Sequence, residues 1–166
     1  MQADHTTLEP AEPPVTMALP QGCTNFKLRQ LMRRVANHYD AEMAKCGLKT
    51  TQYSLLSHVL TLGPIRPGDL AVAMKLDAST LTRNLRPLVD AGWVTLEAGA
   101  DARSRLVHIT DAGRDKRAEA KRHWKAAQLK LNETLGLERV MALHALVDDS
   151  LDLLAALPAQ EAGHDE

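Results

Sequence analysis

Two adjacent stretches constrain this chain more than any others: residues 77–93 and the turn that follows at 98–105. In the first, Leu81, Leu85, Leu88 and Val89 recur at the spacing that lines side chains along one edge of a helix. The other edge carries Ser79, Thr80, Thr82, Arg83 and Arg86. A short helix of this kind must lay its leucines on other elements, and that turns its arginines outward. In the second stretch, Val94–Glu97 and Arg105–Thr110 read as two strands joined by a loop containing Gly99. The hairpin tip then carries Asp101, Arg103 and Arg105. Asp77 is a good N-cap for the helix and Gly92 a stop. Pro87 lies inside it, where the missing N–H and the crowded Arg83 carbonyl predict a bend or an early weakening.

The rest of the chain supplies partners for that pair. Residues 1–22 hold Pro10, Pro13, Pro14 and Pro20 with little apolar content, and read as a disordered or loosely packed arm. Thr24 or Asn25 can cap a first helix with Leu28, Leu31, Met32, Val35, Tyr39 and Met43 inward, ending near Gly47. Thr50 or Thr51 caps a second, with Leu55, Leu56, Val59 and Leu60 inward, ending at Gly63 and Pro64. Ile65–Pro67 suits an edge strand, and Asp69–Met74 a short third helix. After the hairpin, Thr110 and Asp111 cap a long helix through Ala120, Trp124, Ala127, Leu131 and Leu135. Beyond Gly136 a last helix places Val140, Leu143, Val147, Leu151 and Leu154 on one side. Residues 158–166 read as a frayed tail.

This order, three helices and then a two-stranded hairpin, is the winged form of helix-turn-helix. The fold class is therefore mainly α (α+β). Residues 48–110 form the winged helix-turn-helix, and residues 23–47 and 111–157 are outer helices whose apolar stripes have no partner inside so small a domain. Pairing with a second copy of the chain buries them most simply, giving a two-fold homodimer suited to a near-palindromic DNA site.

Charge distribution agrees. The formal net charge is only −1, yet residues 23–130 carry nineteen of the twenty Lys and Arg and ten of the twenty-one Asp and Glu. That middle is strongly basic, and a nucleic-acid footprint depends on the local patch. Ser79, Thr80, Thr82, Arg83 and Arg86 form a candidate major-groove set: short hydroxyls reach phosphates or base edges, and arginine grips guanine bidentately. Arg105 is placed for phosphate, whereas Asp101, which repels phosphate, is better suited to orienting the wing. No apolar run approaches a membrane span and no secretory signal is evident, so the cytoplasm is expected. The seven histidines form no zinc-type spacing, and no nucleophile elbow, P-loop or dinucleotide fingerprint occurs. No metal, cofactor or enzymatic activity is expected.

Leu70-Ala71 with the run from Leu76 to Arg83, the segment from Leu88 to Val94, the wing Asp101–Arg105 and the exit Leu106–Gly113 resemble the MarR (multiple antibiotic resistance regulator) family of transcription factors. The segment Gly47–Tyr53 is similar to the entry of that family's second helix. The resemblance spans about residues 26–157 and implies a dimeric bacterial regulator, usually a repressor, that leaves operator DNA when a small molecule binds. It implies minor-groove entry for Arg103. It also places Arg33, Thr50 and Trp124 at positions similar to those that line family effector sites, with Gln30, Asn37, His38 and Tyr39 nearby. A guanidinium, a hydroxyl and an indole suit a flat anion, such as a hydroxybenzoate- or hydroxynicotinate-like aromatic acid, and control of catabolic genes would follow. The family's peroxide-sensing branch suggests an alternative in which Cys23 is the reactive thiol, although it stands about two residues from the family position. A further alternative is a helical interaction module that binds no DNA.

Overall fold

The computed structural model describes residues 21–99 and 105–156. Helix α1 spans Thr24–Met43 and runs into a 3₁₀ turn at Ala44–Cys46. Helices α2 (Thr50–Leu62), α3 (Pro67–Ala73) and α4 (Ala78–Asp90) follow. Strands β1 (Val94–Ala98) and β2 (Arg105–Ile109) precede the long α5 (Asp111–Leu135) and α6 (Leu137–Ala155). The strands pair antiparallel, with Val94 opposite Ile109 and Ala98 opposite Arg105. Three helices and a hairpin thus form a winged helix-turn-helix, flanked by helices from both ends of the described chain. The arm at residues 1–20, the wing tip with Asp101 and Arg103, and the tail beyond Ala156 lie outside the described residues.

Several boundaries differ from those the sequence predicts, each for a physical reason. Cys23, not Thr24 or Asn25, takes the N-cap position of α1, and no side chain caps that end. Lys49 takes the N-cap position of α2, and its N–H donates to Gln52 Oε1 at 2.8 Å. Thr50 is already helical, because a tertiary partner satisfies it: its N–H and its hydroxyl both donate to Asp40 Oδ1, at 2.8 and 2.7 Å. Helix α3 starts at Pro67, two residues early, since proline at the first helical position gives up only an N–H that has no helical partner. Ile65 alone keeps the expected strand character, exchanging backbone bonds with Val107. Helix α4 continues past Pro87 to Asp90. Pro87 sits one turn from the end and is exposed, so it removes a single bond where little helix remains to break.

The core of the winged domain joins Leu55, Leu56 and Val59 of α2, Leu70 and Ala71 of α3, Leu81, Leu85 and Leu88 of α4, and Val94 and Val107 of the hairpin. Fully burying each leucine stabilises the fold by roughly 1.5–3 kcal/mol. The same core takes in Met43, Cys46, Leu48 and Tyr53, and Ala120 of α5. The terminal helices are different. Met32 of α1 is 66% exposed, and Met141, Leu146 and Leu154 of α6 are each more than 60% exposed.

Candidate nucleic-acid interface

Helix α4 is held by its leucine edge. Leu81, Leu85 and Leu88, at spacings of four and three, are all buried, while Ser79, Thr82, Arg83 and Arg86 on the opposite stripe are exposed. The helix start is tightly organised. Asp77 accepts from the Thr80 N–H at 2.7 Å and from the Ser79 and Thr80 hydroxyls at 2.6 and 2.7 Å. These bonds, led by that from Ser79, hold its carboxyl well below the usual carboxylate range. Thr82 donates to the Ala78 carbonyl at 2.8 Å. All three hydroxyl protons of the predicted groove set are therefore committed within the helix, leaving oxygen lone pairs outward. The outward donors are the two arginines. Arg83 makes no ion pair among the described residues, and Arg86 lies 3.9 Å from Asp90, both groups largely exposed. Such a pair is worth little and yields readily to a phosphate or a base.

Arg105, at the start of β2, is exposed on the hairpin. Asp101 and Arg103 fall outside the described residues. Among other nearby cations, Arg66 and Lys75 are exposed, whereas Lys116 is half-buried, bonded to Glu119 at 2.9 Å and lying 5.5 Å from the centre of the Trp93 ring. Lys116 is thus occupied in packing, and Arg114 lies 3.9 Å from Asp111.

The hairpin is locked to α4 and α5 by Thr110. Its hydroxyl donates to the Gly92 carbonyl at 2.8 Å and accepts from the Gly113 N–H at 3.0 Å. Its N–H donates to the Trp93 carbonyl at 3.1 Å. One residue thus joins the end of α4, the hairpin root and the start of α5. Sequence pattern marks Thr110 only as a cap.

The predicted effector residues separate into two groups. Trp124, Tyr39 and Thr50 line one groove of about 360 Å³ between α1, α2 and α5, with Met32, Val35, Ala36, Asp40 and Thr51. Trp124 stacks on Tyr53, ring centres 6.1 Å apart and 30° between planes. Gln30, Arg33 and Asn37 lie instead on a patch of α1 alone, with Phe26 and Arg34. His38 and Tyr39 tie α1 to α5: His38 Nε2 is 2.8 Å from the Ala127 carbonyl, and the Tyr39 hydroxyl donates to Gln128. Burial pushes the Tyr39 phenol up. Sequence pattern does not single out Asp40, because its role, accepting from Thr50 ten residues on, depends on a tertiary contact. Cys23 is exposed at the start of α1, and Cys46 is buried at its far end.

Comparison with known proteins agrees with this architecture. Residues 47–104 match the family model described as MarR family. An uncharacterised HTH-type transcriptional regulator of Bacillus subtilis, YwoH, is 29% identical over 93 residues, covering 56% of this chain and 68% of that protein. The multiple antibiotic resistance protein MarR of Salmonella typhimurium is 29% identical over 96 residues, 57% of this chain and 65% of its own, so the match spans a little under two thirds of that relative. The M. tuberculosis transcriptional regulator MosR, solved in complex with DNA, superposes with a TM-score of 0.63 at 27% identity over 78% of this chain and 98% of that one. With the helix order, the hairpin and the α4 stripe in place, these matches show a winged helix-turn-helix chain whose residues 47–104 are similar to the MarR family of transcriptional regulators.

Proposed function

We propose that this protein is a ligand-responsive repressor that binds a near-palindromic operator as a homodimer. The observation that carries the reading is the α4 stripe. Arg83 and Arg86 stand outward on a helix whose opposite edge is anchored in the core, beside a two-stranded wing. Inserted in the major groove, this helix puts guanidinium groups at base edges or phosphates, while the outward lone pairs of the committed hydroxyls can accept only from base amino groups. Arg105 meets backbone phosphate, and Arg103, oriented by Asp101, enters the flanking minor groove. The DNA-bound structure of MosR supports the same use of the fold.

The second copy covers the exposed apolar residues of α1 and α6, among them Leu28, Met32, Leu146 and Leu154. Two recognition helices then lie about one DNA turn apart, roughly 34 Å. A small aromatic compound, held against Trp124 between the dimer helices and the DNA-binding lobe, favours a spacing that misfits the operator. If that compound is a hydroxybenzoate- or hydroxynicotinate-like acid, with control of catabolic genes to follow, its carboxylate has to find a cation outside the Trp124 groove, Arg33 being the candidate from the sequence.

A gel shift with the DNA upstream of the protein's own gene, run with excess non-specific competitor, tests the reading. A discrete competitor-resistant complex is expected. A complex that disappears with competitor at moderate salt refutes operator recognition and favours a protein-interaction module.

A further inference from the structure

The groove at Trp124 contains its own anionic group. Asp40 lines it, and Asp40 Oδ1 receives both the N–H and the hydroxyl of Thr50, at 2.8 and 2.7 Å. That position, at the first turn of α2, is where a helix most favours negative charge. It is the place a carboxylate ligand would take, and a side chain of the protein already fills it. Asp40 forms no ion pair among the described residues, and its Oδ2 receives no hydrogen bond from them. The residues lining the groove include neither lysine nor arginine. The other walls are mostly apolar: Met32, Val35 and Ala36 on α1 and the indole of Trp124, joined by the neutral side chains of Tyr39, whose hydroxyl donates to Gln128, and Thr51.

We infer that the groove selects a small aromatic cation, an arylamine-type ammonium or an amidinium, and that Asp40 sets this charge preference. The inference rests on the proposed role of the groove as the effector site and names the class of compound it takes. The ring lies on the Trp124 indole and the α1 side chains. The cationic N–H groups donate to Asp40 Oδ2, while Thr50 keeps Oδ1 fixed. An indole face is itself attractive to cations. An aromatic acid of equal size meets the same apolar walls but a like charge at their polar end, and both charges are partly withdrawn from water, where repulsion is less screened. Asp40 is thus a specificity-determining residue, and Thr50 positions it.

Benzamidine and benzoate make a matched pair, one ring with opposite charges. Each is titrated into the full chain without DNA, at equal ionic strength and neutral pH, by isothermal calorimetry. Benzamidine is expected to bind about tenfold or more tightly than benzoate, a ratio set by opposite signs of the same charge interaction. Asp40→Asn retains an oxygen for Thr50 and removes the charge, so it should bring the two affinities within about threefold. Equal or tighter binding of benzoate by the parent protein overturns the inference, as does absence of benzamidine binding or an unchanged ratio in Asp40→Asn. The parent comparison stands even if the variant fails to fold. Because no DNA is present, failure of operator recognition is read separately, in the gel shift.

Discussion

Gly113→Ala tests how the wing root is joined to the outer helices. Gly113 lies in the first turn of α5, directly beneath the hairpin root. A Cβ built there would sit 2.0 Å from the Trp93 carbonyl oxygen and 2.9 Å from Ile109 Cγ1. Ordinary contact needs about 3.5 Å, so the first turn of α5 or the Trp93 peptide has to move by more than about 1 Å. The Trp93 carbonyl is not free to move, because it accepts the Thr110 N–H, and Gly113 itself donates to the Thr110 hydroxyl. Overpacking of this kind costs about 1–3 kcal/mol, and loss of the Thr110 cap adds about 1 kcal/mol. Alanine's better helix propensity offsets at most about 1 kcal/mol. The net is a destabilisation of about 1–3 kcal/mol, or roughly 3–10 °C in Tm for a chain of this size. Circular dichroism melts of parent and variant at one protein concentration measure it, since Tm of a dimer depends on concentration. Operator affinity should fall in parallel, because the wing shifts with the turn. A Tm equal to or above the parent's would refute the reasoning, and would mean that the approach of α5 to Trp93 is loose.

Arg83→Ala and Arg86→Ala should each weaken operator binding. Where the arginine neutralises a phosphate, its removal should also flatten the plot of log affinity against log salt by about one unit. A variant that tracks the parent across the salt range removes that arginine from the interface. Asp77 offers a pH test. Its folded value lies below its unfolded one, so its contribution is fully present above about pH 4 and is lost as the pH falls through the lower folded value. The Tm gap between parent and Asp77→Ala should hold steady from neutral pH to about pH 5 and close below about pH 4; a gap that widens in acid contradicts the assignment. Finally, Cys23 and Cys46 stand at opposite ends of a helix about 30 Å long, so oxidation cannot join them within one folded chain. Peroxide treatment should yield, at most, cross-linked pairs of chains on a non-reducing gel, absent in Cys23→Ser. An internal Cys23–Cys46 disulfide in the folded protein would refute the helix geometry.

Much of the winged domain was legible in the sequence because its signals are local. Leucine spacing in α4, the Asp77 and Thr110 caps and the stop at Gly92 each act within a few residues, and each appears where the pattern put it. The outward face of α4, with Arg83 and Arg86, follows directly from burying Leu81, Leu85 and Leu88. The misplaced boundaries share one cause. Thr50 looks like a cap until Asp40, on another helix, takes its N–H and hydroxyl. Pro67 looks like an edge-strand residue until the sheet proves to need only Ile65.

The residues expected to hold an effector show the same division more sharply. Type and helical face of Arg33, Thr50 and Trp124 are sequence properties, but which of them share a groove is decided by how α1, α2 and α5 cross. That crossing puts Thr50 and Trp124 together with Asp40 and leaves Arg33 on a separate patch of α1. The sequence by itself determined the elements, their order and which edge of α4 faces out, since hydrophobic periodicity and capping are short-range physics. Only the tertiary structure decided which charge stands in the groove, because a carboxylate and the hydroxyl it bonds lie on different helices and meet only when those helices pack.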